Sequence, residues 1–174
     1  MRQTADATDN TTVIVSGLPR SGTSMLMKML DAAGLDIVTD NIREADRDNP
    51  RGYYEYEPVK DLARDNSWVP QFQGKTLKVI SHLLYYLPPE LSYKIIFIRR
   101  DIKEVLASQR KMYERLQGEA DNASDALLAD KYVKHLYKIN SWLRTQAHVE
   151  CLFVRYGDMI GNPLEQAQRI SDFL

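Results

Sequence analysis

The chain has 174 residues, 44% hydrophobic and 27% charged, the composition of a globular protein able to bury a sizeable core. A net charge of −1 supplies no overall field for a polyanion, so nucleic acid is not an expected partner and any anion site must be built locally. One cysteine, Cys151, excludes an internal disulfide and cysteine-rich metal sites. No apolar run is long enough to span a bilayer, and the polar start "MRQTADATDNTT" lacks a signal-peptide core, which together predict a cytoplasmic protein. Residues 1–11 read as a disordered tail and 12–174 as a single domain.

In chain order, "TVIVS" (12–16) is a compact β-branched run that reads as a strand. Met25, Leu26, Met29, Leu30 and Ala33 follow at helical spacing, with Gly34 as the stop. Residues 35–52 are polar and loop-like, and the charges of "READRD" (43–48) read as a solvated face. "EPVKDLARDNSWV" predicts a short helix, "TLKVIS" (76–81) a second strand and "YKIIFIR" (93–99) the strongest strand of the chain. Asp101 and Glu104 form a D-x-x-E capping pattern for a helix with Ile102, Val105, Leu106, Gln109, Met112, Tyr113 and Leu116 on one face, ended by Gly118. A longer helix is expected from about Ser124 to Ala147, with Leu128, Tyr132, Leu136, Ile139 and Leu143 inward. "ECLFVRY" (150–156) is a further strand, and Asn162-Pro163 opens a last helix with Leu164, Ala167, Ile170 and Phe173 on one side.

Apolar strands alternating with helices predict an α/β fold: three layers, α/β/α, with a central parallel sheet of about four to five strands. Ligands in such folds sit at the carboxyl ends of the strands. Those positions here hold Gly17 to Ser24, Ser81-His82, Arg99-Arg100 and Tyr156.

The first of these places is nearly a nucleotide phosphate loop. "GLPRSGTSM" (17–25) has two glycines separated by four residues, but Thr23 stands where the loop's lysine belongs. A loop that opens a helix presents unpaired N–H groups and the positive end of the helix dipole to an anion. Ser21, Thr23 and Ser24 add hydroxyls, and Arg20 adds a fixed planar cation. A magnesium-dependent phosphotransferase would need the lysine and an acidic metal ligand, neither of which the sequence supplies. A small P-loop kinase, or a nucleotide-binding protein without catalysis, stay open as alternatives.

Three segments, in order, resemble the sulfotransferases that use 3′-phosphoadenosine 5′-phosphosulfate. "LPRSGTSM" resembles the loop that binds the 5′-phosphosulfate, "YKIIFIRRDIKEVLAS" the 3′-phosphate segment, and "FVRYGDMIGNPLEQAQRISDFL" the family's strand, turn and N-P helix. "SHLLYYLPP" resembles the stretch carrying the catalytic histidine in cytosolic members, and "NPRGYYE" a segment of bacterial-type members. The resemblance implies a P-loop-like fold, sulfuryl transfer to a hydroxyl or amine of a small-molecule or peptide acceptor, adenosine 3′,5′-bisphosphate as product, and no metal. It assigns the donor's 5′ side to Pro19, Arg20, Ser21, Gly22, Thr23, Ser24 and Met25, its 3′-phosphate to Arg100 and Ser108, and a place near the adenine to Tyr156.

Arg20 takes the part of the family's lysine in this reading. His82 is the first candidate for the catalytic base and Glu55 the second, since some members use a glutamate. The sequence departs from the family at Ile80, where a lysine often stands, the nearest being Lys78, and at Met25, where cytosolic members often place a tryptophan. Members usually run well beyond the last match and supply an R-K-G-type stretch for the 3′-phosphate, so a chain ending at Leu174 is expected to bind donor less tightly.

Overall fold

In the computed structural model, which describes residues 10–40, 42, 52–117 and 123–174, four strands form one sheet. They are β1 (Thr12–Gly17), β2 (Thr76–Lys78), β3 (Tyr93–Arg99) and β4 (Val149–Arg155). All pair in parallel, in the order β2-β1-β3-β4. The helices are α1 (Thr23–Ala32), α2 (Ile102–Gln117), α3 (Ala123–Leu143), α4 (Tyr156–Gly161) and α5 (Pro163–Phe173).

Alternation along the strands sends successive side chains to opposite faces. Ile14, Ile95 and Phe97 enter one core with Leu77, covered by Ile139 and Leu143 of α3. Val15, Ile96, Ile98 and Val154 enter the other, covered by Leu26, Met27 and Leu30 of α1, Met159 of α4 and Ile170 of α5. Both faces of β1 and β3 are therefore apolar, which is why those strands read as continuous hydrophobic runs. The result is the expected three-layer α/β/α arrangement.

Several elements differ from expectation. The helix predicted over "EPVKDLARDNSWV" is two separate 3-10 helices, Glu57–Asp61 and Val69–Phe72, each with proline in its first turn. Between them the Asp65 carboxylate accepts the Ser67 N–H at 3.0 Å and turns the chain. β2 ends at Lys78; Val79 still donates to Val15 O, and Ser81–Tyr86 winds into a 3-10 helix instead of extending the strand. Asp101 caps α2 through the Lys103 N–H at 2.8 Å, but Glu104 does not complete a capping box and bonds Arg100 instead. Tyr113 is half exposed and Leu164 is 87% exposed, so neither joins the inward faces assigned to them. Gly118 and "READRD" lie outside the described residues.

β2 lies on one side of β1 and β3 on the other, so the chain changes direction across the sheet at β1. The crevice beyond the carboxyl ends of β1 and β3 is where such sheets bind ligands. Pro19, Arg20 and Gly22 of the loop line it on one side and Arg100 on the other.

Candidate active site

The loop after β1 turns through two left-handed residues, Arg20 at φ 68° and Gly22 at φ 106°. Glycine suits such a backbone; arginine there stores local strain, a feature that gathers at functional positions. Gly17 is held for another reason: a Cβ there would come within 2.6 Å of the Ile98 carbonyl. Gly22 is followed directly by α1, whose first N–H groups lack carbonyl partners one turn earlier and face an anion well.

A cavity of about 330 Å³ opens at this crevice. Pro19, Arg20, Gly22, Thr23, Ser24 and Met25 line it from the loop and α1. Arg100 and Ser108 line it from the β3 side, with Tyr156 from the start of α4 and Glu55 from the segment before the first 3-10 helix. Residues that the sequence places far apart thus share one chamber. Arg20 Nε donates to Ser108 Oγ at 3.0 Å, across 88 positions of sequence, and Arg100 Nη1 donates to the Arg20 carbonyl at 3.2 Å.

Two expected residues stand apart from the others. Ser21 is buried beneath the loop; its N–H is spent on the Leu18 carbonyl at 3.1 Å, and its hydroxyl has no hydrogen-bond partner among the described residues. His82 is not among the residues that line the cavity. It sits on the 3-10 helix Ser81–Tyr86 and stacks on His135 of α3, with ring centroids 3.7 Å apart and planes 8° from parallel. His135 is fixed through its Nε2 contact with Ser81 Oγ at 2.9 Å. Burial lowers the pKa of His82; burial first, and then the neighbouring His82, push that of His135 down to about 4.

Lys78, noted in the sequence only as the lysine nearest the family's position at Ile80, was given no role there, because it ends an apolar strand and looks like a sheet residue. Its stem is buried and its ammonium reaches the cavity at the carboxyl end of β2. It donates to the Tyr53 carbonyl and pairs with Glu55 Oε1 at 3.4 Å. Ser24 Oγ also donates to the Tyr53 carbonyl, at 3.4 Å, which ties the Glu55 segment to the phosphate loop. A lysine at a strand's carboxyl end in this fold class is the signal that could have revealed it. Met112 of α2 and Tyr53 complete the apolar part of the wall.

The donor set is two guanidinium groups, an ammonium, three hydroxyls and a helix N-terminus around one chamber. This fits a compact, multiply charged anion with an apolar body, such as a nucleotide phosphorylated at two positions.

Comparison with known proteins gives the same fold. Mouse sulfotransferase SULT7A1, crystallised with PAP, superposes with a TM-score of 0.58 at 16% identity, over 94% of this chain and 58% of that one. Retinol dehydratase, in complex with androsterone and the inactive cofactor PAP, superposes with a TM-score of 0.55 at 20% identity, over 93% of this chain and 59% of that one. The chain thus spans less than two thirds of the length of these structural relatives. No curated protein sequence matches the chain. Among the described residues no helix is long and apolar enough to cross a membrane. The family model of the sulfotransferase domain matches residues 10–174, nearly the whole chain, and the protein belongs to that family.

Proposed function

We propose that this domain moves a sulfuryl group from 3′-phosphoadenosine 5′-phosphosulfate to a hydroxyl or amine acceptor. The observation that carries the reading is the meeting of Arg20, on the loop after β1, with Arg100 and Ser108, from the segment after β3, in one cavity. The first group suits a 5′-phosphosulfate and the second a 3′-phosphate, the feature separating this donor from ordinary adenine nucleotides. Bound there, the donor supplies an activated sulfuryl group.

Arg20 meets the negative charge left on the bridging oxygen when the sulfur–oxygen bond breaks. It leaves Ser108 to do so. The N–H groups at the start of α1, with Thr23 and Ser24, orient the 5′ side. Glu55 lies on the wall of the same cavity and takes the proton of the acceptor as its oxygen or nitrogen attacks sulfur. Lys78 holds that carboxylate in place. His82 remains the alternative base, and it would first have to turn from its stack on His135.

The test is release of adenosine 3′,5′-bisphosphate from the donor in the presence of a panel of phenols, alcohols and amines. Release that depends on an acceptor, yields a sulfated product and is lost in Arg20→Ala is expected. Tight binding of the bisphosphate without transfer to any acceptor would overturn the catalytic part of the proposal.

A further inference from the structure

Tyr156 resembles a family residue near the adenine, and its ring is also held by two neighbours in the wall of the cavity. The Arg100 guanidinium lies over the ring at 4.1 Å from its centroid. The ring edge abuts the phosphate loop: a Cβ on Gly22 would fall 2.6 Å from Tyr156 Cδ2 and 3.0 Å from Cε2. The side chain also packs against the core cluster that α1, α4 and α5 form on one face of the sheet. The face turned to Arg100 is therefore taken, and the ring is wedged between the loop and the arginine.

Arg100 is gripped from two further sides. Its Nε donates to Glu104 Oε2 at 2.8 Å, and its Nη1 to the Arg20 carbonyl at 3.2 Å. Glu104 is not among the cavity-lining residues and is more than half exposed, so it restrains the arginine from outside. A guanidinium held over an aromatic face is restrained in orientation, so the N–H groups not spent on Glu104 and Arg20 can meet a phosphate in the plane of the fork. A long unstacked side chain would first lose rotamer freedom on binding.

We propose that Tyr156 is a positioning residue: acting through Arg100, it sets the preference for a donor with a 3′-phosphate. The inference rests on the donor reading above. It adds that the two phosphate subsites are joined through one ring, because Tyr156 touches the loop at Gly22 and the arginine at its face.

The experiment measures calorimetric affinity for adenosine 3′,5′-bisphosphate and for adenosine 5′-monophosphate in wild type, Tyr156→Met and Tyr156→Phe. Methionine fills similar space without a π face. Tyr156→Met should lose about fivefold of the preference for the bisphosphate, with affinity for the monophosphate little changed. Tyr156→Phe keeps the face and should keep the preference. Equal losses for both ligands would mark an adenine contact and overturn the inference, as would an unchanged ratio.

Should Tyr156→Met fail to fold, Tyr156→Leu decides, since it keeps an apolar side chain and loses the π face. A preference that survives Tyr156→Leu overturns the proposal, and its loss with affinity for the monophosphate kept supports it. If the wild type itself does not distinguish the two ligands, the donor reading fails and not merely the role of Tyr156.

Discussion

Replacing Gly22 by alanine strikes the loop where the backbone and the Tyr156 ring meet. The backbone at φ 106° is outside the range that alanine adopts without strain, at a cost of about 1–2 kcal/mol. The new methyl would also lie 2.6 Å from Tyr156 Cδ2 and 3.2 Å from Ile98 Cδ1, which forces the ring to shift. Overpacking of this kind costs about 1–3 kcal/mol. Together the losses come to about 2–5 kcal/mol, and for a domain of this size the melting temperature should fall by about 4–20 °C. Thermal melting of Gly22→Ala beside Gly157→Ala is the assay. Gly157 is helical and a Cβ there meets nothing within 4 Å, so its alanine variant should be neutral or stabilised by about 0.5–1 kcal/mol. Equal melting of the two variants would refute the close packing of loop and ring.

Other outcomes follow from the same geometry. Arg20→Ala should lower kcat about a hundredfold or more while donor binding falls less, and Arg20→Lys should restore part of the rate; a change confined to the donor KM would make the loop a binding device. Glu55→Gln should cut transfer to a hydroxyl about a hundredfold, with His82→Ala milder; the reverse order, measured with one acceptor, would move the base to His82. The folded state depresses the pKa of His135 to about 4, so the unfolded chain binds more protons between the ordinary histidine value and that point. Stability present above the unfolded pKa is therefore lost as pH falls through this window, and His135→Gln should flatten the fall in melting temperature there. Burial pushes the Cys151 thiol up to about 12, so it should react with a thiol reagent at pH 8 only after unfolding.

The strands were legible where both faces are buried. "YKIIFIR" is β3 residue for residue because apolar side chains are needed on both sides of a central strand. β2 was read too long, since Val79 still bonds the sheet but the chain then turns at Ile80 into the 3-10 helix. α4 escaped notice because "YGDMIG" carries two glycines and little helical propensity; it forms by burying Met159 and bonding Asn162 N–H to the Asp158 carbonyl at 2.8 Å. Arg20, Arg100 and Ser108 were grouped by the family resemblance and not by spacing alone; the loop and the strand end do carry them to one crevice. The Glu55–Lys78 pair could not be assigned, since it depends on how the segment after residue 52 folds back on β2. The stacking of His82 on His135 is likewise a tertiary fact: the two lie on separate elements joined only by packing.

A second phosphate site beside the loop is what separates a 3′-phosphorylated donor from an ordinary adenine nucleotide. Titration calorimetry without magnesium, comparing adenosine 3′,5′-bisphosphate with adenosine 5′-monophosphate, tests it directly. The 3′-phosphate should add about 2 kcal/mol of binding, as expected for charge-assisted hydrogen bonds to Arg100 and Ser108, and Arg100→Ala should abolish that difference. Equal affinity for the two nucleotides would contradict the assignment of the cavity to a 3′-phosphorylated sulfuryl donor.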